Sequence, residues 1–94
     1  METKMIRRAV FAGSFDPFTA GHLDIVRRAA ELFDEVIVLV AENSAKRPLF
    51  KTAVRVRLAK LAVKDIPGVT VDSFEGLTVN YLKRKSAHYL VRGI

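Results

Sequence analysis

The sequence predicts an α/β fold with a parallel sheet and the element order β-α-β-α-β-α-β. Short apolar, β-branched runs recur along the 94 residues, and each is followed by a segment with helical spacing or by a turn. Single helices between successive strands imply parallel strands joined by right-handed crossovers. Half of the residues are hydrophobic, which is enough for a core and argues against a disordered chain.

The first three elements are marked by changes of apolar period. The run at residues 9–12 ends at a glycine and predicts a buried strand. Residues 21–33 place their apolar side chains mostly on one helical face and their charged side chains on the other, which predicts an amphipathic helix. The continuous apolar run at residues 36–40 is typical of a strand covered on both faces.

The second half repeats the alternation. Residues 53–64 predict a helix that Thr52 would cap. Its inward face would consist of four apolar residues: Val54, Leu58, Leu61 and Ala62. Residues 69–74 predict a third strand with a polar end, residues 78–85 a short helix, and residues 88–91 a fourth strand.

Composition and charge narrow the function classes. The absence of cysteine excludes a disulfide framework, a thiolate zinc site and cysteine catalysis, and it suits a reducing compartment. The longest apolar run, residues 36–41, is far shorter than a membrane span, so we expect a cytoplasmic protein that does not engage a membrane. A net charge of +6 indicates an anionic ligand.

The segment that follows the first strand has the chemistry of a phosphate site. In parallel sheets, ligands bind beyond the carboxyl ends of the strands, where the strand order reverses. Gly13 permits a tight turn, and Gly21 leaves the helix entrance open to an anion. His22 would donate to a phosphoryl oxygen, and Thr19 would cap the helix or bind the same anion. Spacing alone leaves a second interpretation, an ordinary strand–helix loop with a capping threonine.

Three segments carry a resemblance to a known family. Residues 11–26, which read Phe-Ala-Gly-Ser-Phe-Asp-Pro-Phe-Thr-Ala-Gly-His-Leu-Asp-Ile-Val, resemble the first strand, loop and helix of the phosphopantetheine adenylyltransferase family. They include the (His/Thr)-x-Gly-His motif of the nucleotidyltransferase superfamily at residues 19–22. Residues 44–50 and 90–94 match the family's Ser-x-Lys-Lys/Arg-Pro-x-Phe and Leu-x-Arg-Gly-Leu/Ile segments. The resemblance implies a Rossmann-like, truncated nucleotidyltransferase fold, with residues 1–94 as a single partial domain.

The resemblance also implies an activity. The family transfers the AMP part of ATP to 4′-phosphopantetheine, giving dephospho-coenzyme A and pyrophosphate, with Mg²⁺ accompanying ATP and no covalent intermediate. Because the family continues beyond the matched part, we expect the 94-residue chain itself to be inactive or weak. The alternatives are a non-catalytic nucleotide-binding or structural half-domain, or another nucleotidyltransferase with a different acceptor.

The matching positions imply the site residues. His22 would be catalytic. ATP would be bound by five residues: Ser14, Phe15, His22, Gly93 and Ile94. 4′-Phosphopantetheine would be bound by four: Ser14, Lys46, Thr78 and Arg92. Lys46 could instead be a solvated loop residue, and Thr78 could simply be a helix cap. We expect no metal ligands, because Asp16 and Asp24 do not form a convincing pair and Asp16 would fix the loop through local backbone bonds.

The remaining predictions concern partners. Residues 46–64 hold seven basic residues and no acidic one, which could form a nucleic-acid surface or the polar face of a helix. We favour the helix, since there is no tryptophan and no aromatic stacking platform, and we expect no nucleic acid partner. Residues 52–55 also lack the acidic first turn of the family's Thr/Ser-x-Glu-Glu-Arg. We expect a homo-oligomer, in which elements could be exchanged between copies.

Overall fold

The predicted alternation of strands and helices is confirmed. The structure is a computed structural model that describes residues 6–43 and 47–92. Its elements are β1 (Arg8–Gly13), α1 (Ala20–Leu32), β2 (Glu35–Glu42), α2 (Thr52–Val63), β3 (Val69–Glu75), α3 (Thr78–Arg84) and β4 (Tyr89–Val91). Most boundaries lie within one or two residues of those predicted from the sequence.

The four strands form one parallel sheet in the order β3-β2-β1-β4. In its centre β1 pairs with β2 from Arg8 opposite Glu35 to Gly13 opposite Val40. The chain moves outward from β1 to β2 and β3, then returns to place β4 on the other side of β1. The strand order therefore reverses between β1 and β4, and a ligand crevice is expected at their carboxyl ends.

Apolar side chains cover both faces of the sheet, as predicted for β2. All five residues from Val36 to Val40 are buried. On one face Phe11, Val38 and Val40 pack with residues of α1 and α2, including Val26, Ala59 and Val63. On the other face Val10, Ile37 and Leu39 pack with Tyr81 of α3 and with Ala87. Helices thus cover the two faces of a continuous central strand.

The predicted inward face of α2 is wrong. Val54, Leu58 and Leu61 are 40%, 36% and 57% exposed, and Ala62 is only partly buried. The buried residues of α2 are instead Arg55, Ala59 and Val63, which follow one another at four-residue intervals. The physical reason is that the Arg55 guanidinium has hydrogen-bond acceptors inside the protein, and the small Ala59 lets the helix approach the sheet. The outer apolar stripe, defined as Val54, Leu58 and Leu61, is left exposed.

The threonine cap predicted for α2 is also wrong, and so is the cap left open as an alternative for Thr78. Thr52 is the first helical residue of α2, the cap position is Lys51, and the cap makes no side-chain hydrogen bond. The Thr52 hydroxyl accepts a hydrogen bond from the Arg55 guanidinium at 3.0 Å. Likewise Thr78 lies inside α3, whose cap position is Leu77, again with no side-chain bond. By contrast, the cap predicted at Thr19 is confirmed at the start of α1.

Candidate anion-binding site at the carboxyl ends of β1 and β4

A cavity of about 850 Å³ opens at the point where the strand order reverses. It is lined by the end of β1, the loop to α1, the first three turns of α1, and Arg92 after β4. The lining residues are Phe11, Ala12, Gly13, Ser14, Phe15, Asp16, Pro17, Thr19, Gly21, His22, Asp24, Ile25, Arg28 and Arg92. The topology rule therefore locates this cavity without reference to any family.

The loop begins with a tightly folded Gly13–Phe15 segment. Phe15 adopts a positive φ of 46°, which is uncommon for a bulky residue and is concentrated at functional sites. Its ring folds back over Gly13, where an added Cβ would lie 3.1 Å from the ring. The ring packs edge-on against Phe11, and Phe15 as a whole residue is only 2% exposed. Phe15 is nevertheless part of the cavity wall.

His22 is held by the first turn of α1. The Thr19 N–H donates to His22 Nδ1 at 2.9 Å, and the Thr19 hydroxyl accepts from the His22 N–H at 3.3 Å, which makes a reciprocal capping box. A backbone N–H can only donate, so Nδ1 must act as an acceptor. The ring proton of neutral His22 therefore lies on Nε2, which leaves Nε2–H as the donor of the ring.

Aromatic rings enclose the imidazole. The ring centroids of Phe15 and Phe18 lie 4.9 and 5.3 Å from that of His22, and the Phe15 contact is edge-on at 89°. This partial burial lowers the pKa of His22 from its ordinary value, because the charged imidazolium loses solvation. Hydrogen bonding and packing thus agree on a neutral ring at pH 7.

The entrance of α1 is suited to an anion. No acidic residue occupies the first turn, and Gly21 contributes no side chain where the unpaired N–H groups and the helix dipole favour negative charge. Asp24 and Arg28 form an exposed ion pair on the cavity wall, with Nε and Oδ2 3.2 Å apart. Arg92 faces this entrance from the end of the neighbouring strand and is exposed.

The structure therefore brings together four of the predicted site residues: Ser14, Phe15, His22 and Arg92. Thr78 does not line this cavity. It is the first residue of α3, in the segment that follows the end of β3 at Glu75. Lys46, Gly93 and Ile94 lie outside the described residues, so their roles stay predictions.

Asp16 fixes the loop, but through distant bonds and not the local ones predicted. Its Oδ2 and Oδ1 accept hydrogen bonds from the N–H groups of Leu49 and Phe50, at 2.6 and 2.9 Å. Both carboxylate oxygens are thereby occupied, and Asp24 is paired with Arg28. Within residues 6–43 and 47–92, no group of three or more His, Cys, Asp or Glu residues could hold a metal ion.

Arg55 is the important residue that sequence reasoning missed. It was grouped with the solvated basic residues of α2, yet it is 3% exposed and its side chain reaches the cavity loop through the Ser14 carbonyl. One signal could have revealed it. Arg55, Ala59 and Val63 follow one another at four-residue intervals, so they lie on the same face of the helix. An arginine in line with two small apolar residues could have indicated that this face is the buried one.

Sequence comparisons agree with the resemblance drawn from the motifs. The chain is 54% identical over 89 residues to the phosphopantetheine adenylyltransferase of Carboxydothermus hydrogenoformans, covering 95% of this chain and 55% of that protein. It is 51% identical over 87 residues to the enzyme of the same name from Dictyoglomus turgidum, covering 93% and 54%. The chain thus spans about half the length of these curated relatives.

Solved structures share the fold at low sequence identity. The lipopolysaccharide core biosynthesis protein of Thermoplasma volcanium GSS1 superimposes with a TM-score of 0.69 at 21% identity, over 92% of this chain and 73% of that one. Plasmodium falciparum nicotinic acid mononucleotide adenylyltransferase, complexed with NaAD, gives 0.73 at 13% identity, over 96% and 52%. None of the described helices is long and apolar enough to span a membrane. Because residues 10–94 match the cytidylyltransferase-like family model, the chain belongs to the cytidylyltransferase-like family.

Proposed function

We propose that the protein is a phosphopantetheine adenylyltransferase, which converts ATP and 4′-phosphopantetheine to dephospho-coenzyme A and pyrophosphate. One observation carries the proposal: Ser14, Phe15, His22 and Arg92 meet around a single cavity at the reversal of the sheet. The two relatives described above bear this name and are 54% and 51% identical to the chain over the aligned residues, which supports the choice of substrates.

The chemistry requires positioning more than reactive groups. A phosphate oxygen of 4′-phosphopantetheine attacks the α-phosphorus of ATP, a new P–O bond forms, and pyrophosphate leaves with the electron pair of the broken bond. The Thr19 hydroxyl lies 3.1 Å from His22 Nδ1, but both groups are engaged in the capping box of α1. Transfers of this kind can proceed by alignment and charge stabilisation. A direct displacement therefore suits the site better than a covalent intermediate.

Each cavity residue receives a role in this scheme. His22 Nε2–H would donate to a non-bridging oxygen of the α-phosphate, where negative charge grows in the transition state. Arg92 would hold the attacking phosphate through its planar guanidinium. Ser14 and the Phe15 backbone would contact ATP, with Ser14 also close to the acceptor phosphate. Lys46, Thr78, Gly93 and Ile94 keep the roles implied by the resemblance.

Mg²⁺ enters this scheme with ATP. Of the carboxylates that line the cavity, Asp16 accepts hydrogen bonds from backbone N–H groups and Asp24 pairs with Arg28, and the proposal assigns no resident ion to them. Mg²⁺ bound to a nucleotide retains several waters and uses phosphate oxygens as ligands. The proposal also retains a cytoplasmic location and a homo-oligomer, the latter supported by the exposed outer apolar stripe of α2.

Pyrophosphate release from ATP and 4′-phosphopantetheine, measured in single-turnover experiments together with calorimetric ATP binding, tests the proposal. His22→Ala should slow the transfer by about 100-fold or more, the usual effect of losing one transition-state donor. The matched control is His88→Ala, since His88 is the other histidine, is exposed and does not line the cavity. Equal effects of the two variants would overturn the proposal. ATP binding without transfer would fit both the weak activity expected of these 94 residues and a nucleotide-binding domain.

A further inference from the structure

Arg55 is a buried cation without a carboxylate partner among the described residues. Its exposure is 3%, and the ion pairs of residues 6–43 and 47–92 involve other arginines. Burying a charged group is costly unless its charge is compensated, so an unpaired buried arginine requires an explanation. Here its donors bind carbonyl and hydroxyl oxygens, and these come from three separate segments.

These acceptors surround the base of the cavity loop. Arg55 Nη1 donates to the Ser14 carbonyl at 2.8 Å and to the Ala41 carbonyl at 3.1 Å. Arg55 Nε donates to the Phe50 carbonyl at 3.0 Å. One side chain of α2 thereby fixes the cavity loop relative to the end of β2 and to the segment before α2.

Asp16 binds the same segment from the side of the cavity loop. Its carboxylate accepts from the N–H groups of Leu49 and Phe50, while Arg55 binds the Phe50 carbonyl. The backbone of Phe50 is therefore held at both its N–H and its C=O. Asp16 and Arg55, together with Phe50 between them, form an arrangement that we call the Asp16–Arg55 clasp.

The clasp determines how one peptide group faces the cavity. In a planar trans peptide the C=O and the N–H point in opposite directions. Arg55 holds the Ser14 carbonyl toward the protein interior, so the N–H of Phe15 must point away from Arg55. That N–H makes no hydrogen bond within the described part of the chain, although Ser14 and Phe15 both line the cavity.

We propose that Arg55 and Asp16 are positioning residues that keep the Phe15 N–H directed at a bound phosphate. Neither residue needs to touch the ligand for this role. The inference rests on the proposed function in taking the ligand to be a phosphate group of ATP. The positive φ of Phe15 is consistent with it, because surrounding contacts must maintain a conformation that the chain rarely adopts by itself.

Calorimetric titration of the chain with inorganic pyrophosphate, and separately with ATP, tests this role. Arg55→Met removes the guanidinium donors of the clasp, and Arg55→Lys retains the charge without the planar donor set. Asp16→Asn is a milder change should Arg55→Met fail to fold. Val63→Ala is the matched stability control, since it removes buried methyl groups from the same helix without touching the loop. Arg57→Met removes an exposed charge from α2 and controls for net charge.

We expect Arg55→Met, Arg55→Lys and Asp16→Asn each to weaken pyrophosphate binding, the first by about tenfold or more. The Phe15 amide resonance should shift on titration of the wild type and respond less in these variants. Val63→Ala and Arg57→Met should bind nearly as the wild type does. Equal weakening by Val63→Ala and Arg55→Met would overturn the positioning role. Pyrophosphate binding without ATP binding would overturn the proposed function alone, and binding of neither by the wild type would overturn both.

Discussion

At the scale of single residues, His22 shows how one side chain can serve the fold and the site together. Its Nδ1 completes the capping box with Thr19, which stabilises the start of α1. The same hydrogen bond leaves the proton on Nε2, where it can serve a ligand. The structural role therefore determines the tautomer that the proposed chemistry requires.

This arrangement predicts a pH dependence of stability. The pKa of His22 is lowered in the folded state, so between that pKa and about 6.5 the unfolded chain binds more protons than the folded one. The His22 contribution to stability is thus complete above about pH 6.5 and is lost as the pH falls through the folded pKa. Denaturant unfolding of wild type and His22→Gln at several pH values would measure it.

The Gln variant is informative because glutamine can cap the helix at the same position but does not titrate. The wild type should lose stability relative to His22→Gln as the pH is lowered below about 6.5. A stability difference that does not change with pH would contradict the lowered pKa of His22.

Gly68 is a second residue whose identity is imposed by geometry. Its φ is +77°, and an added Cβ would lie 2.8 Å from the backbone oxygen of Asp34. Gly68→Ala should therefore lower the unfolding free energy by about 2 kcal/mol or more, because backbone atoms must move as well. Gly21→Ala, in the helical and open environment of α1, should instead stabilise by up to about 1 kcal/mol. Urea denaturation of both variants would reveal whether the signs are opposite.

At the scale of elements, the sequence predicted strands and α1 well but misplaced the buried face of α2. The strands and α1 have strong apolar periodicity, and hydrophobic burial alone decides their orientation. In α2 the apolar residues surround the helix more evenly. Its orientation is decided by the hydrogen bonds of Arg55, whose acceptors are carbonyls up to 41 residues away in the chain. A property of the assembled fold cannot be read from local spacing.

The candidate site likewise contains features that the sequence predicts and features that depend on contacts in the assembled fold. The loop, His22 and Arg92 were predictable because motif and topology both locate them at the reversal of the sheet. The Asp16–Arg55 clasp was not, because it joins loops 33 to 41 residues apart. The burial of Phe15 was not predicted either. It depends on a positive φ, and among residue types glycine is the one that indicates a positive φ in a sequence.

The start of α2 offers a test at this scale. Its first turn contains no acidic residue, although the helix dipole favours negative charge there. Ala53→Glu, at an exposed position of that turn, should raise the unfolding free energy by about 0.3–1 kcal/mol at low ionic strength. Ala53→Gln, of similar size but neutral, should gain less. If added salt left the Glu–Gln difference intact, the electrostatic explanation would fail.

At the scale of the whole molecule, the outer apolar stripe predicts self-association. Val54, Leu58 and Leu61 present apolar surface on one face of α2, beside the exposed cations Arg57, Lys60 and Lys64. Two copies pairing through this face would bury apolar area but bring like charges together. Association should therefore strengthen as salt screens the repulsion.

Sedimentation equilibrium of the wild type at low and high ionic strength would measure this association. Leu58→Glu combined with Leu61→Glu should shift the equilibrium toward monomer, whereas Leu77→Glu, at an exposed position outside α2, should not. Association that weakened with salt, or that was insensitive to both changes in the stripe, would place the contact elsewhere.

The short β4 strand has a consequence for the order in which the molecule forms. Among the described strands its three residues pair only with β1, some eighty positions earlier in the chain, and Tyr89 and Leu90 remain 44% and 41% exposed. We expect such a strand to dock late in folding and to unfold locally with ease. Its few contacts offset little of the conformational entropy that is lost when so long a loop is closed. Arg92 reaches the cavity only when β4 is docked. A phosphate bound by Arg92 would therefore stabilise the docked state of β4. Amide hydrogen exchange in β4 should slow on ligand binding more than exchange in the buried β2.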